Sequence, residues 1–237
     1  MQAAGTTDTG RVRDENQDVF AIREELGLAL LADGVARPRA GGIAAEVAVE
    51  TAMEYLVGVR EREWLTAGHL RYALEVANTR VFGLAQAVTA YRGMATTLVA
   101  AAVVGSKGFV AHVGDSRAYR YRFGTLSAIT KDHSAAQEWV DAGLISAEEA
   151  RVVSSRHIVT RAIGAEPTLA PDVRELDVDS GDLLLMCSDG LTEHLEDPEI
   201  EEILAGTPDL GEAAESLVDA ANDAGGSDNV TVVLVRC

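Results

Sequence analysis

Leu183-Leu184-Leu185-Met186-Cys187-Ser188-Asp189-Gly190 is an apolar run that stops at an Asp-Gly corner. Leu28-Ala29-Leu30-Leu31-Ala32-Asp33-Gly34 repeats the design near the other end of the chain. Each reads as a buried strand. A buried strand that closes on a carboxylate and then a glycine can hold a hard cation at a sheet edge, because the carboxylate supplies oxygen and glycine lets a backbone carbonyl approach closely. A lone Asp-Gly is ordinarily a turn. Two of them after buried strands, with further acids at other strand ends, point to chemistry.

Outward from these corners, strand-like runs fall at about 17–23, 27–33, 96–104, 107–114, 117–123, 183–188 and 229–236. Segment 107–123 reads as a hairpin with Gly114-Asp115-Ser116 at its turn. Helical spacing over 41–57 puts Ile43, Val47, Met53 and Leu56 on one apolar face and Glu46, Glu50 and Glu54 on a polar one. A second long helix fits 63–88, striped by Leu65, Leu70, Leu74, Val81 and Leu84. Shorter helices fit 134–142, 147–153, 197–205 and 210–223. Strands and helices do not alternate regularly, so an antiparallel α+β sandwich fits better than a doubly wound parallel sheet. Region 134–165, polar and helical, interrupts the strands and reads as a flap or a plain surface insert.

The chain has 237 residues, 47% of them hydrophobic and 5% aromatic, which suits one domain with an Ala/Val/Leu-rich core. No apolar stretch approaches the ~20 residues that span a bilayer. The opening Met1-Gln2-Ala3-Ala4-Gly5 lacks the basic and apolar parts of a secretory signal. With only two cysteines, Cys187 and Cys237, a reducing cytoplasm is the expected setting. The net charge of −18 argues against nucleic acid and anionic membranes as partners.

Asp18, Asp33, Asp189 and Asp228 all sit where strands begin or end. Brought together, four carboxylates cannot all stay ionised without cations. Oxygen ligands without Cys or a His pair favour Mg²⁺ or Mn²⁺ over Zn²⁺. Cys187 reads as a small core residue. His133 reads as a cap or packing residue, and His69, His112, His157 and His194 show no ligand spacing.

Gly10-Arg11-Val12-Arg13-Asp14-Glu15-Asn16-Gln17-Asp18 resembles the opening motif of the metal-dependent (type 2C) protein serine/threonine phosphatases. Ala32-Asp33-Gly34, Met94-Ala95-Thr96-Thr97-Leu98 and Val113-Gly114-Asp115-Ser116-Arg117-Ala118-Tyr119 resemble later motifs of that family. Lys131-Asp132-His133-Ser134, Thr160-Arg161-Ala162-Ile163-Gly164, Cys187-Ser188-Asp189-Gly190-Leu191-Thr192 and Gly225-Gly226-Ser227-Asp228-Asn229-Val230-Thr231 follow in the family's order. The resemblance spans essentially the whole chain and matches the compact bacterial members.

It implies a four-layer α-β-β-α sandwich over residues 1–237 with the metal site at one end. Asp33 would bridge two Mn²⁺ or Mg²⁺ ions, and the Gly34 carbonyl would bind the first. Asp189 and Asp228 would hold the second, with Asp18 in support. Asp115 with Asp189 matches a weaker third-metal site, and Arg13 matches the arginine that grips the substrate phosphate. A water shared by the two ions would attack phosphorus in line. Taken alone, without the motif around it, Arg13 reads as a surface ion pair with Asp14 or Glu15. The implied partners are phosphorylated proteins and a cognate bacterial Ser/Thr kinase, for a cytoplasmic monomer.

Two departures from the family pattern fall beside the first ion. Where the family continues Asp-Gly-Met-Gly-Gly, this chain reads Asp33-Gly34-Val35-Ala36-Arg37-Pro38-Arg39, and Gln17 replaces the usual Glu. Losing two glycines and gaining a proline restricts the loop. Activity is expected to survive with altered metal affinity or substrate access, Arg37 and Arg39 being either solvated or extra charge for a phosphate or an acidic substrate. The alternative reading is a weak or inactive phosphatase-fold binding module. A different two-metal hydrolase is disfavoured by the ordered motifs.

Overall fold

The computed structural model describes residues 1–35 and 40–237, with Arg156 described by its backbone only. The chain runs β1 (Gln2–Asp8), β2 (Asp18–Arg23), β3 (Leu28–Asp33), α1 (Ala40–Arg60), α2 (Ala67–Ala87), β4 (Leu98–Val104), β5 (Lys107–Val113), β6 (Arg117–Arg122), β7 (Thr125–Ala128), α3 (Ala135–Asp141) and α4 (Ala147–Val152). It continues through β8 (Asp172–Asp177), β9 (Leu183–Cys187), α5 (Asp189–Thr192), α6 (Asp197–Gly206), α7 (Leu210–Asp223) and β10 (Val230–Arg236). Two five-stranded antiparallel sheets form, ordered β1-β10-β9-β6-β7 and β2-β3-β4-β5-β8.

Strand alternation explains the uninterrupted apolar runs. In β3, Leu28, Leu30 and Ala32 face α1 and α2, while Ala29 and Leu31 face the other sheet. In β9, Leu183, Leu185 and Cys187 face α6 and α7, while Leu184 and Met186 meet Ala29, Leu31, Val99 and Val233 between the sheets. Because successive side chains point to opposite faces, a strand in the middle of four layers has no wet face and needs no polar residue. The expected α-β-β-α sandwich is therefore the observed one.

Three details differ from the sequence reading. Segment 107–123 is not a hairpin: β5 pairs with β4 and β8, β6 pairs with β7 and β9, and the chain passes from one sheet to the other at Gly114–Ser116. Asp115 and Ser116 are buried there, as a solvent-exposed hairpin tip would not be. The buried face of α1 is built on Ala44, Ala45, Ala48, Val49, Ala52, Met53 and Leu56, with Ile43 and Val47 only half-buried. Small side chains there let α1 lie close to α2 and the sheet. Strands β1, β7 and β8 were not anticipated; each is an edge strand, and edges tolerate polar sequences such as QAAGTTD.

Candidate metal and phosphate site

One end of the sandwich opens into a cleft of ≈ 1160 Å³ lined by Arg13, Asp33, Gly34, Asp115, Asp189 and Asp228. Asp33 ends β3 and Asp18 starts β2, and antiparallel register sets them directly opposite each other. Asp189 follows β9 at the start of α5, and Asp228 precedes β10. Asp115 sits on the crossing between sheets. The structure thus gathers every acidic residue singled out above, drawn from both sheets.

Hydroxyl groups fix these carboxylates. Asp18 Oδ2 accepts hydrogen bonds from Ser188 Oγ (2.7 Å) and Thr231 Oγ1 (2.6 Å), so an acid of one sheet is tied to two strands of the other. The Asp33 carbonyl accepts from the Thr97 amide (2.8 Å) and Thr96 Oγ1 (2.7 Å), and the Asp33 amide donates to Thr97 Oγ1 (2.9 Å). Asn229 Nδ2 donates to the Thr9 and Glu15 carbonyls, and its Oδ1 accepts from the Gln17 amide, which staples the 9–17 loop beside Asp228. Sequence reading did not single out Ser188, Thr96, Thr97, Asn229 or Thr231 as supports, although all lie inside the quoted motifs.

Both corner glycines are required by close packing. A Cβ on Gly34 would lie 2.4 Å from the Gly41 carbonyl carbon, and one on Gly190 would lie 2.1 Å from the Asn229 oxygen. Gln17 reaches the same place, its Oε1 2.4 Å from where a Gly41 Cβ would stand. Arg13 pairs with Asp228 (Nη2–Oδ2 2.5 Å) rather than with its sequence neighbours Asp14 and Glu15, and its side chain is 56% exposed at the cleft rim. Arg37 and Arg39 lie outside the described residues.

Burial and mutual repulsion raise the pKa of four of these acids. Asp18 is pushed up to about 6 by burial, against the pull of the Thr231 and Ser188 hydroxyls. Asp115 rises to about 7 by burial and the charge of Asp132. Asp33 and Asp189 stand well above the usual carboxylate range, by burial and the neighbouring aspartates. Asp18, Asp115 and Asp189 each keep a buried Oδ1 with no hydrogen-bond partner among the described residues. Buried carboxylate oxygens without hydrogen-bond partners around one cleft fit a set of hard divalent cations, which would reverse these shifts. Cys187 is fully buried and pushed up to about 12, so it is no nucleophile.

His157, which shows no ligand spacing in sequence, stands in the 154–157 turn with Nδ1 2.5 Å from Glu193 Oε1. Ligand atoms of His157, Glu193 and Asp189 lie within 4.8 Å of one another. This grouping brings the inserted segment to the body of the protein and was invisible to spacing alone.

Comparison with known proteins agrees with this geometry. The family model described as protein phosphatase 2C matches residues 9–227. The protein phosphatase PhpP of Streptococcus pneumoniae serotype 2 is 37% identical over 246 aligned residues, covering 99% of this chain and 97% of that one. The crystal structure of the Mycobacterium tuberculosis serine/threonine phosphatase PstP/Ppp superposes with TM-score 0.90 at 34% identity, over 98% of this chain and 97% of that chain. A PstP catalytic domain solved with two manganese ions superposes with TM-score 0.85 at 32% identity, over 98% and 96%. With matches of this length, the chain belongs to the protein phosphatase 2C family.

Proposed function

We propose that the cleft hydrolyses phosphoserine and phosphothreonine in proteins with Mn²⁺ or Mg²⁺, two ions in the core and a weaker third. The chain is a protein serine/threonine phosphatase, and one observation supports this division of its residues: buried carboxylate oxygens with no hydrogen-bond partner among the described residues, in a cleft whose rim carries the exposed Arg13 guanidinium. Asp33 would serve two ions and the Gly34 carbonyl the first. Asp189 and Asp228 would serve the second, and Asp115 with Asp189 the third. Asp18 backs the cluster from behind Asp33.

Asp33, the Gly34 carbonyl, Asp189 and Asp228 would hold the ions, whose chemistry would be to acidify a water for in-line attack and offset charge on the phosphoryl oxygens. Arg13 offers a planar fork suited to two phosphate oxygens, and its bond to Asp228 keeps that fork beside the carboxylates instead of adrift in solvent. Asn229 and the hydroxyls of Ser188, Thr96, Thr97 and Thr231 hold the acids in place, so little reorganisation is needed when substrate arrives.

The binding-module alternative is not favoured. Crowded acids that raise one another's pKa weaken a scaffold and have a use only with cations. The reading extends to one catalytic unit over 1–237 with 134–165 as a flap, since Val159 and Ala162 of that insert line the cleft. It also extends to a cytoplasmic monomer in bacterial signalling that opposes a Ser/Thr kinase. No helix among the described residues is long and apolar enough to cross a membrane. The test is turnover of p-nitrophenyl phosphate and a phosphothreonine peptide with Mn²⁺ and with chelator. Turnover that ignores metal, or full activity in Asp189→Ala, would sink the proposal.

A further inference from the structure

The motif Lys131-Asp132-His133-Ser134 has no part in the chemistry above, yet it brackets the corner that carries Asp115. On one side Asp132 grips Arg117 at the start of β6 through two bonds, Nε–Oδ1 2.8 Å and Nη2–Oδ2 2.7 Å. On the other, His133 holds Gly114 twice. The Gly114 amide donates to His133 Nδ1 (3.2 Å), and the His133 amide donates to the Gly114 carbonyl (3.0 Å). Gly114 has φ +105°, and a Cβ there would meet Thr97 Cγ2 at 2.5 Å, so this corner admits little else.

The His133 ring is buried and stacks on buried His112, with centroids 4.7 Å apart and planes 17° from parallel. Because a backbone amide can only donate, Nδ1 must be the bare nitrogen, and the neutral ring carries its proton on Nε2. Nε2 faces Asp172 Oδ2 at 3.7 Å and Arg161 Nη1 at 3.4 Å. Burial, with His112 and Arg161 alongside, brings His133 down to about 4, so Nδ1 is open near neutral pH. The His133 carbonyl accepts from the Thr160 amide (2.8 Å), where the inserted segment returns.

We infer that His133 is a positioning residue for Asp115: its Nδ1 and amide lock Gly114, and so hold the neighbouring carboxylate where the weakest divalent ion binds. The inference rests on the proposed ligand role of Asp115. It makes the Nδ1 acceptor, rather than the bulk of the ring, the feature that matters. Asn places an oxygen near the Nδ1 position, whereas Gln reaches only toward Nε2 and Phe keeps the ring without any acceptor.

The experiment compares His133→Asn, His133→Gln and His133→Phe with the unaltered protein and Asp115→Asn, by calorimetric Mn²⁺ titration and by amide exchange at Gly114. His133→Gln and His133→Phe should weaken the weakest Mn²⁺ by about tenfold, the low end for groups that hold a ligand. They should leave the tighter ions unchanged and speed Gly114 exchange. His133→Asn, which loses the stack just as His133→Gln does, should restore both readouts. Equal effects in Asn and Gln, or Mn²⁺ affinity unchanged in both Gln and Phe while Asp115→Asn loses the ion, would overturn the positioning role alone. If Asp115→Asn binds Mn²⁺ as the unaltered protein does, the ligand assignment falls and the inference falls with it.

Discussion

The two Asp-Gly corners look alike in sequence and are held in unlike ways. Asp33 is fixed through its backbone, which exchanges three hydrogen bonds with Thr96 and Thr97 of the neighbouring chain segment, and Gly34 then presses on Gly41 at the start of α1. Asp189 opens the short helix α5, and Gly190 packs beneath the Asn229 carbonyl next to the residue that carries its partner acid. The first corner is therefore anchored within its own sheet and helix layer, and the second to the strand that follows Asp228. Ser188 joins them by bonding Asp18 and the Thr231 amide together. A site assembled from two sheets needs such cross-ties to keep the two strand ends at a fixed distance, and Thr231 Oγ1 adds a second one to Asp18.

The comparison is most severely tested by removing each carboxylate in turn. Asp33→Asn and Asp189→Asn should each cut kcat on a phosphothreonine peptide by at least about a hundredfold in Mn²⁺, more than loss of an outer partner does. Retained activity in one of them would show that the corners are not equivalent partners. Arg13→Ala leaves both corners intact and should raise KM about tenfold with a smaller change in kcat, read from steady-state kinetics. Ser188→Ala cuts one of these ties and should lower stability by about 1–3 kcal/mol in denaturant titration, since it strips the Thr231 amide of its partner and the buried Asp18 of one of its two hydroxyl donors.

The smallest effect is on pH. Asp18 and Asp115 have folded values of about 6 and 7, above their unfolded value of 3.8. The folded state thus binds more protons, and the stability this lends is full below about pH 4 and fades as pH rises through 6 and 7. Metal-stripped protein should melt a few degrees higher at pH 5 than at pH 7.5, and saturating Mn²⁺ should reverse that order in a thermal scan.

Central strands were legible because burial on both faces writes itself as an unbroken apolar run, as in Leu28–Ala32 and Leu183–Cys187. Edge strands were not, because one side of β1 or β8 meets solvent and charged or polar residues are welcome there. The 107–123 segment misled for a related reason: apolar content shows that β5 and β6 are buried, but not which neighbour each pairs with. At the site, the aspartates could be read since each marks a strand end. Their supports could not, because Thr231 meets Asp18 across 213 positions and no local pattern encodes that. The His157–Glu193 contact escaped likewise, as it depends on how an insert folds back.

The pairing of β1 with β10, from Gln2 opposite Arg236 to Asp8 opposite Val230, has a consequence for biosynthesis. Contacts between segments 215 positions apart, as Arg13 and Asp228 are, cannot form until the ribosome has delivered both. Arg13 waits for Asp228, and the 9–17 loop waits for Asn229. A nascent chain is therefore expected to have no working cleft however much of its sandwich has folded, and catalysis begins only once β10 is in place. Truncation after Asn229 checks this, with the expected product folded around α1 and α2 yet inert toward phosphopeptide.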